Sequence, residues 1–233
     1  FVKSRSTGSI EGESMTIQAW IGLGSNQGDR EQYLKSAISS LEQISHSPLI
    51  VSSLYETEPW GGVAEGLFLN QVIGVSVSPN QLFVQAQQRY NTLMNHWDVS
   101  QKSHWHTRTI SHFINPQSDT DTVELLMLYL LFIELINGRN RSMNSIRWDS
   151  RPLDLDILEV TGDLIQFDDA EIDHGCYESQ HLTLPHPRFH ERQFVLTPWK
   201  EVAPKLFISK FNATVADLQS RCPIDPTLHL YSP

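Results

Sequence analysis

Arg151-Pro-Leu-Asp-Leu-Asp-Ile-Leu-Glu-Val160 is the stretch on which the fold turns. Its alternation predicts a β-strand over Pro152–Val160, with Leu153, Leu155 and Ile157 on a core face. Asp154 and Asp156, two residues apart, then project together from the opposite face. Two adjacent carboxylates repel, so such a pair calls for a cation between them. Hard oxygen ligands beside phosphate suit Mg²⁺, which takes one or two carboxylates plus phosphate oxygens and water. The bland alternative, two aspartates on a solvated strand face, fits poorly with the low strand preference of Asp.

Directly upstream lies Gly138-Arg-Asn-Arg-Ser-Met-Asn-Ser-Ile-Arg-Trp-Asp-Ser-Arg151, in which Arg139, Arg141, Arg147 and Arg151 fall within thirteen residues. Planar guanidinium forks match phosphate oxygens and offset charge that develops in phosphoryl transfer. A solvated basic loop is the competing reading, and proximity to the aspartates weakens it. Downstream, His181-Leu-Thr-Leu-Pro-His-Pro-Arg-Phe-His-Glu-Arg-Gln-Phe194 offers His186 and Arg192 to a phosphate chain and Phe194 to a flat ring. By itself that segment reads equally well as a structural turn.

The rest of the chain supplies the frame. Thr16–Leu23 reads as a strand closed by a Gly-Ser-Asn-Gln-Gly turn, and Asp29 as the N-cap of a helix carrying Leu34, Ala37, Ile38 and Leu41. Leu49–Tyr55 and Leu67–Val77 read as strands around a Gly/Pro loop at Thr57–Gly66, and Asn80–Gln88 begins like a helix. Arg89–Thr122 is polar and without sustained periodicity, which predicts an insertion. Helical pattern returns over Val123–Asn137 and stops at Gly138. Phe194–Pro198 reads as extended and Thr214–Cys222 as a short helix. The order predicts a two-layer α+β domain with helices on one face of a mostly antiparallel sheet. Residues 1–15 are expected to form a disordered or linker segment, and 16–233 a single domain with the insertion at about 89–122.

Of the 233 residues, 39% are hydrophobic and 19% charged, a globular composition. The formal charge of −10 argues against general affinity for nucleic acid or an anionic membrane. Cys176 and Cys222 lack zinc-ligand or redox spacing, which points to a reducing, cytoplasmic setting. The apolar run Val123–Ile136 is too short, and with Glu124 and Glu134 too charged, to span a bilayer. A start at Phe1 suggests a piece of something longer. No dinucleotide loop or Gly-Lys-Ser/Thr phosphate loop is present. His104-Trp-His106 has no nearby Cys or carboxylate partner and makes a thin metal site.

Taken in order, Ile21-Gly-Leu-Gly-Ser-Asn-Gln-Gly-Asp, Ser53-Leu-Tyr-Glu-Thr-Glu-Pro-Trp-Gly, Phe68-Leu-Asn, the Gly-Arg-Asn-Arg loop, Arg-Pro-Leu-Asp-Leu-Asp-Ile-Leu and Leu-Pro-His-Pro-Arg resemble the 6-hydroxymethyl-7,8-dihydropterin pyrophosphokinase family of folate synthesis. The resemblance covers roughly Ile17–Pro204. It implies a ferredoxin-like two-layer sandwich and transfer of the ATP β,γ-pyrophosphate to the pterin hydroxymethyl oxygen, leaving AMP. By position it implies that Asp154 and Asp156 hold two Mg²⁺ ions and that Arg139 and Arg151 sit on the transferred phosphates. Arg141, Arg147 and Trp148 would close over ATP, which Glu134, Thr183, His186 and Arg192 would also contact. Phe68 and Phe194 would sandwich the pterin, Asn70 would hydrogen-bond its edge, and Thr57, Glu58 and Trp60 would complete its pocket. The substrates it implies are ATP and the pterin, with no nucleic acid or membrane partner and, by analogy, a neighbouring folate-pathway enzyme.

Two departures from the family pattern set an alternative beside this expectation. Ser78–Gln88 resembles the start of a helix that Val123–Glu134 resembles in full, so the stretch between them is additional. Asp149-Ser150 replaces the usual Gly-Pro, and a second addition around Asp168–Gln180 is acidic. If the added stretch displaced Glu134 or the closing loop, the chain would bind pterin or nucleotide without chemistry. An unrelated two-metal nucleotidyltransferase is disfavoured by the second aromatic pocket of Phe68, Asn70 and Phe194.

Overall fold

A computed structural model describes residues 16–61, 64–96, 122–139, 149–162, 177–178 and 182–232. Its organising element is β1 (Ile17–Ser25), which pairs antiparallel with β4 (Phe68–Val77) on one side and β5 (Asp154–Thr161) on the other. Beyond β4 lie β3 (Tyr55–Thr57) and, at the sheet edge, β10 (His229–Leu230), while β2 (Ile50–Val51) also pairs with β4. Every pairing in this sheet is antiparallel. The expected strand at Leu49–Tyr55 is thus two short ones. Ser52 separates them, its N–H donating to the Val72 carbonyl and its hydroxyl accepting from the Val72 N–H at 3.0 Å.

One face of the sheet is closed by helices. Ile17, Ala19, Ile21 and Leu23 alternate into a core with Leu69, Ile73, Val75 and Val77. Over them pack α1 (Arg30–Glu42), α2 (Pro79–His96) and α3 (Thr122–Ile136). Asp29 caps α1 as expected, its carboxylate accepting from the Gln32 N–H at 3.0 Å. At its end α3 forms a left-handed cap. Gly138 has φ +88°, its N–H bonds to the Leu135 carbonyl, and the Arg139 N–H bonds to the Glu134 carbonyl. This paired bonding needs a residue at positive φ, which Gly adopts without strain.

Two expectations are corrected here. The stretch from Arg89, read as lacking periodicity, is helical as far as His96, because α2 runs on to that residue. Leu82, Ala86 and the partly buried Tyr90 keep one helical stripe. Arg89 packs inward, donating from Nε to Tyr129 Oη at 3.1 Å and lying 5.3 Å from that ring. Polar residues around this narrow stripe hid the period, and 97–121 lie outside the described residues. The second correction concerns Phe194–Pro198, read as extended. It lies in a helix, α4 (Gln193–Val202), with Val195, Leu196 and Trp199 buried. Pro198 forgoes a bond to the Phe194 carbonyl, and that single loss is outweighed by packing.

α4 lies on the other face of the sheet, so helices do not occupy one side only. Trp199 meets Phe189 edge-on at 5.3 Å and Trp20 at 6.3 Å. The hairpin β8 (Phe207–Ile208) with β9 (Ala213–Thr214), and α5 (Val215–Arg221), complete this second core. Thr214 and Asp217 form a capping box at the start of α5, the helix expected over Thr214–Cys222. The short pair β6 (Tyr177–Glu178) and β7 (Thr183–Leu184) flanks β5. Cys222 is a buried free thiol; Cys176 lies outside the described residues. No helix among the described residues is long and apolar enough to cross a membrane. The second core covers only half of this face. The other half is open.

Candidate active site

The open half of the sheet forms the floor of a cavity of about 750 Å³. On β1 the floor is Gly22 and Gly24. Register sets Asp156 and Asp154 beside them on β5, and Val72 and Asn70 beside them on β4. A Cβ at Gly24 would lie 3.7 Å from Asn70 Oδ1 and from Phe68 Cδ1, and 3.8 Å from Asp154 Cβ. The missing side chain therefore leaves a space bounded by carboxylates on one side and by a polar and an aromatic group on the other.

The strand reading of β5 holds for Asp154 and Asp156, which both line the cavity, while Leu153, Leu155 and Ile157 face the helical layer. The strand runs on to Thr161, but its alternation breaks beyond Ile157. Trp20 pairs with Glu159 but Ile21 with Ile157, so Leu158 is an extra residue. This bulge sets Glu159 opposite Trp20 and returns Val160 to the helix-covered core.

Among the described residues, Arg139 and Arg151 hold Asp154. Arg139 bridges Asp154 Oδ1 and the carboxylate of Glu134, at 2.5 Å from the latter, and also donates to the Leu153 carbonyl. Arg151 donates to Asp154 Oδ2 at 2.8 Å. Glu134, expected to touch the nucleotide, is placed elsewhere. It is 1% exposed, sits behind Arg139, and accepts the Leu155 N–H at 2.8 Å. It thus fixes both an arginine and the start of β5. Asp156 has no such paired cation among the described residues. Burial, and after it the Asp154 charge, push it up to about 7. A carboxylate destabilised in its ionised form beside a second carboxylate is what an added cation would relieve. Among the described residues no three His, Cys, Asp or Glu side chains converge as a metal cage. The pair therefore fits a cation that completes its shell from water and phosphate.

Arg192 faces this wall from the start of α4. Its Nε is buried with no hydrogen-bond partner among the described residues, and its guanidinium lies 5.0 Å from the Trp60 ring and 5.8 Å from that of Phe194. His186 is tethered to β5 by its N–H on the Leu158 carbonyl. Burial, then the Arg192 charge, bring it down to about 4, so it is neutral. Its Nδ1 accepts the Arg188 N–H at 3.3 Å, which leaves the ring proton on Nε2.

On the opposite side, Asn70 is 5% exposed and donates to Thr57 Oγ1 at 2.9 Å. Phe68, Phe194, Trp60, Thr57 and Glu58 all line the same cavity. Thr183 lies on β7, outside the lining, and Arg141, Arg147 and Trp148 lie outside the described residues.

Sequence reasoning missed two groups. Asn26 clamps both edges of the cavity: Oδ1 accepts the Arg151 N–H at 2.7 Å, and Nδ2 donates to the Glu65 carbonyl at 2.9 Å and to Ser150 Oγ. Its place in the Gly-Ser-Asn turn was the only local hint. Arg188, quoted in a motif but given no role, lies 4.4 Å from the Trp60 ring.

Comparison with known proteins bears on this geometry. Residues 20–112 and 86–204 match the family described as 7,8-dihydro-6-hydroxymethylpterin-pyrophosphokinase. The chain is 31% identical over 193 residues to a Bacillus subtilis (strain 168) protein named 2-amino-4-hydroxy-6-hydroxymethyldihydropteridine pyrophosphokinase, covering 81% of this chain and 79% of that one. Proteins of the same name from Porphyromonas gingivalis (28% identity, 80% and 91% covered) and Mycobacterium tuberculosis strain H37Rv (28%, 79% and 71%) are also similar.

Proposed function

We propose a reaction for this chain from one established fact: it belongs to the 7,8-dihydro-6-hydroxymethylpterin-pyrophosphokinase family. It transfers pyrophosphate from ATP to 6-hydroxymethyl-7,8-dihydropterin, giving AMP and the pterin diphosphate used in folate synthesis. One observation carries the residue-level reading: a single cavity joins a carboxylate–arginine wall to a polar–aromatic wall across a glycine floor.

In this reading Asp154 and Asp156 would hold two Mg²⁺ ions. Such ions would supply charge neutralisation on the transferred phosphates. Arg139 and Arg151 are presented to the transferred phosphates by Glu134 and Asp154, which fix one face of each guanidinium. Arg192 and the neutral His186 donate to the remaining phosphate oxygens, a role that suits the unpartnered Arg192 Nε and the His186 Nε2 proton. Phe68 and Phe194 take the pterin ring, Asn70 and Thr57 its polar edge, with Glu58 and Trp60 closing the pocket. Arg141, Arg147 and Trp148, outside the described residues, are assigned to ATP by the family pattern alone, and Thr183 supports the nucleotide side from β7. Positioning and charge compensation suffice for this chemistry, and no side chain acts as a nucleophile.

The sheet and its first helical layer support a ferredoxin-like arrangement in one domain, and the overlap of the two matched segments at 86–112 supports an added stretch between α2 and α3. We place the enzyme in the cytoplasm, where ATP and reduced thiols are at hand. The family match and the names of the similar proteins favour the catalytic reading over the non-catalytic alternative. The test is AMP formation by the purified chain from ATP, Mg²⁺ and the pterin. AMP dependent on both pterin and Mg²⁺ is expected. Retained pterin binding without AMP would overturn the reading.

A further inference from the structure

The family match ends at residue 204, yet the chain beyond it returns to the polar–aromatic side of the cavity. β10 adds to the free edge of β3, with His229 opposite Glu56 and Leu230 opposite Tyr55, and the Tyr231 N–H bonds to the Leu54 carbonyl at 2.9 Å. Thr227 Oγ1 accepts the Glu58 N–H at 3.2 Å. Its own hydroxyl proton goes to Asp225 Oδ1 at 2.7 Å, which also accepts the Thr227 N–H. The hydroxyl is therefore oriented with its lone pairs toward Glu58.

A second fastening lies at the other end of the same segment. Arg30 pairs with Glu56 at 2.7 Å and donates to the Leu67 carbonyl at 2.8 Å. Tyr231 lies under that guanidinium at 5.8 Å and donates to Glu31 at 3.0 Å, while His229 Nε2 is 3.2 Å from Glu56. Glu58 and Leu67 bracket the stretch that carries Trp60 into the cavity and leads into Phe68 and Asn70. The Glu58 end is thus held by Thr227 directly, and the Leu67 end by Arg30, against which Tyr231 lies.

We infer that the arm 225–231 is a positioning device that pre-sets the pterin-facing residues Thr57–Trp60, with Thr227 as its acting contact. The inference rests on the pyrophosphokinase reading. A loop held before binding does not pay its ordering entropy on binding, so the arm acts on pterin affinity and not on the phosphates, which face the wall built by β5 and α4. A merely structural arm would lower the unfolding temperature and leave the substrate constants alone.

The test compares the full chain with Thr227→Val, Thr227→Ser and a deletion of 225–233, measuring KM for pterin, KM for ATP, kcat and Tm. Deletion is expected to raise the pterin KM about tenfold, and Thr227→Val about threefold, with kcat and the ATP KM within about twofold. Thr227→Ser keeps the hydroxyl and restores the parental value. An unchanged pterin KM in Thr227→Val, or an equal rise in both KM values, overturns the inference, and Thr227→Val decides the matter should the deletion not fold. A parent chain that makes no pterin-dependent AMP overturns the reaction reading, and the arm's role with it. A parent that turns over normally beside unaffected variants overturns the arm alone.

Discussion

Asp156 and Glu159 are three residues apart on β5, and both are pushed up to about 7, but only one belongs to a site. For Asp156 the causes are burial and then the Asp154 charge, with Arg192 and Arg139 opposing, and it lines the cavity. For Glu159 burial dominates, relieved by the Val160 N–H and Lys210, and the bulge at Leu158 sets it opposite Trp20 in the closed half of the face. A perturbed carboxylate is therefore not evidence of chemistry by itself. What separates the two is the company kept: a second carboxylate, converging arginines and open space, against a tryptophan and a covered core.

The largest expected effect breaks the pair apart. Asp156→Asn should lower kcat on the order of a thousandfold while leaving Tm equal or higher, since an isosteric amide removes a poorly solvated charge. Glu159→Gln should leave kcat unchanged. Assaying both variants for AMP formation and thermal unfolding checks the contrast.

Arg139→Ala tests the company rather than the carboxylate. It takes from Glu134, 1% exposed, the guanidinium that lies 2.5 Å away, at a cost of about 3 kcal/mol, so this variant should lose stability as well as activity. Denaturant unfolding measures it. Adding Glu134→Gln should recover much of the stability and little of the activity.

Glu159 carries the next effect. Its folded value lies above the ordinary 4.5, so the folded chain holds a proton that the unfolded chain releases. Stability is then full below about pH 4.5, falls as pH rises toward 7, and levels off above, a loss on the order of 3 kcal/mol. Unfolding curves of parent and Glu159→Gln across this window should converge at low pH and separate at neutral pH, with the variant the more stable.

Gly24→Ala is the smallest change. The added methyl meets the protein only at ordinary contact distances, so stability should shift by less than about 1 kcal/mol. Because it stands between Asp154 and Asn70, the pterin KM should rise about tenfold. Steady-state kinetics beside a Tm measurement separates the two.

What was legible in the sequence follows the same division. The carboxylate–arginine wall was readable because its signals are local: Asp-x-Asp on an alternating strand, and arginines within a few residues of it. The polar–aromatic wall came only through resemblance, since Phe68, Asn70 and Phe194 mean little apart from the fold that unites them. Asn26 was invisible because its partner Arg151 stands 125 positions away, and Thr227 because Glu58 stands 169 away. Alternation could not announce the bulge at Leu158. The misread α4 has a simple cause: Phe, Val and Thr followed by Pro favour extended chain locally, and burial of Trp199 against Trp20 and Phe189 decides otherwise.

The central claim is that two phosphorus atoms move together. Incubating the chain with ATP labelled at the β-phosphorus, Mg²⁺ and 6-hydroxymethyl-7,8-dihydropterin tests it directly. The account predicts the label in the pterin product, with unlabelled AMP in equal amount. Label retained in ADP, or released without dependence on pterin, would contradict it.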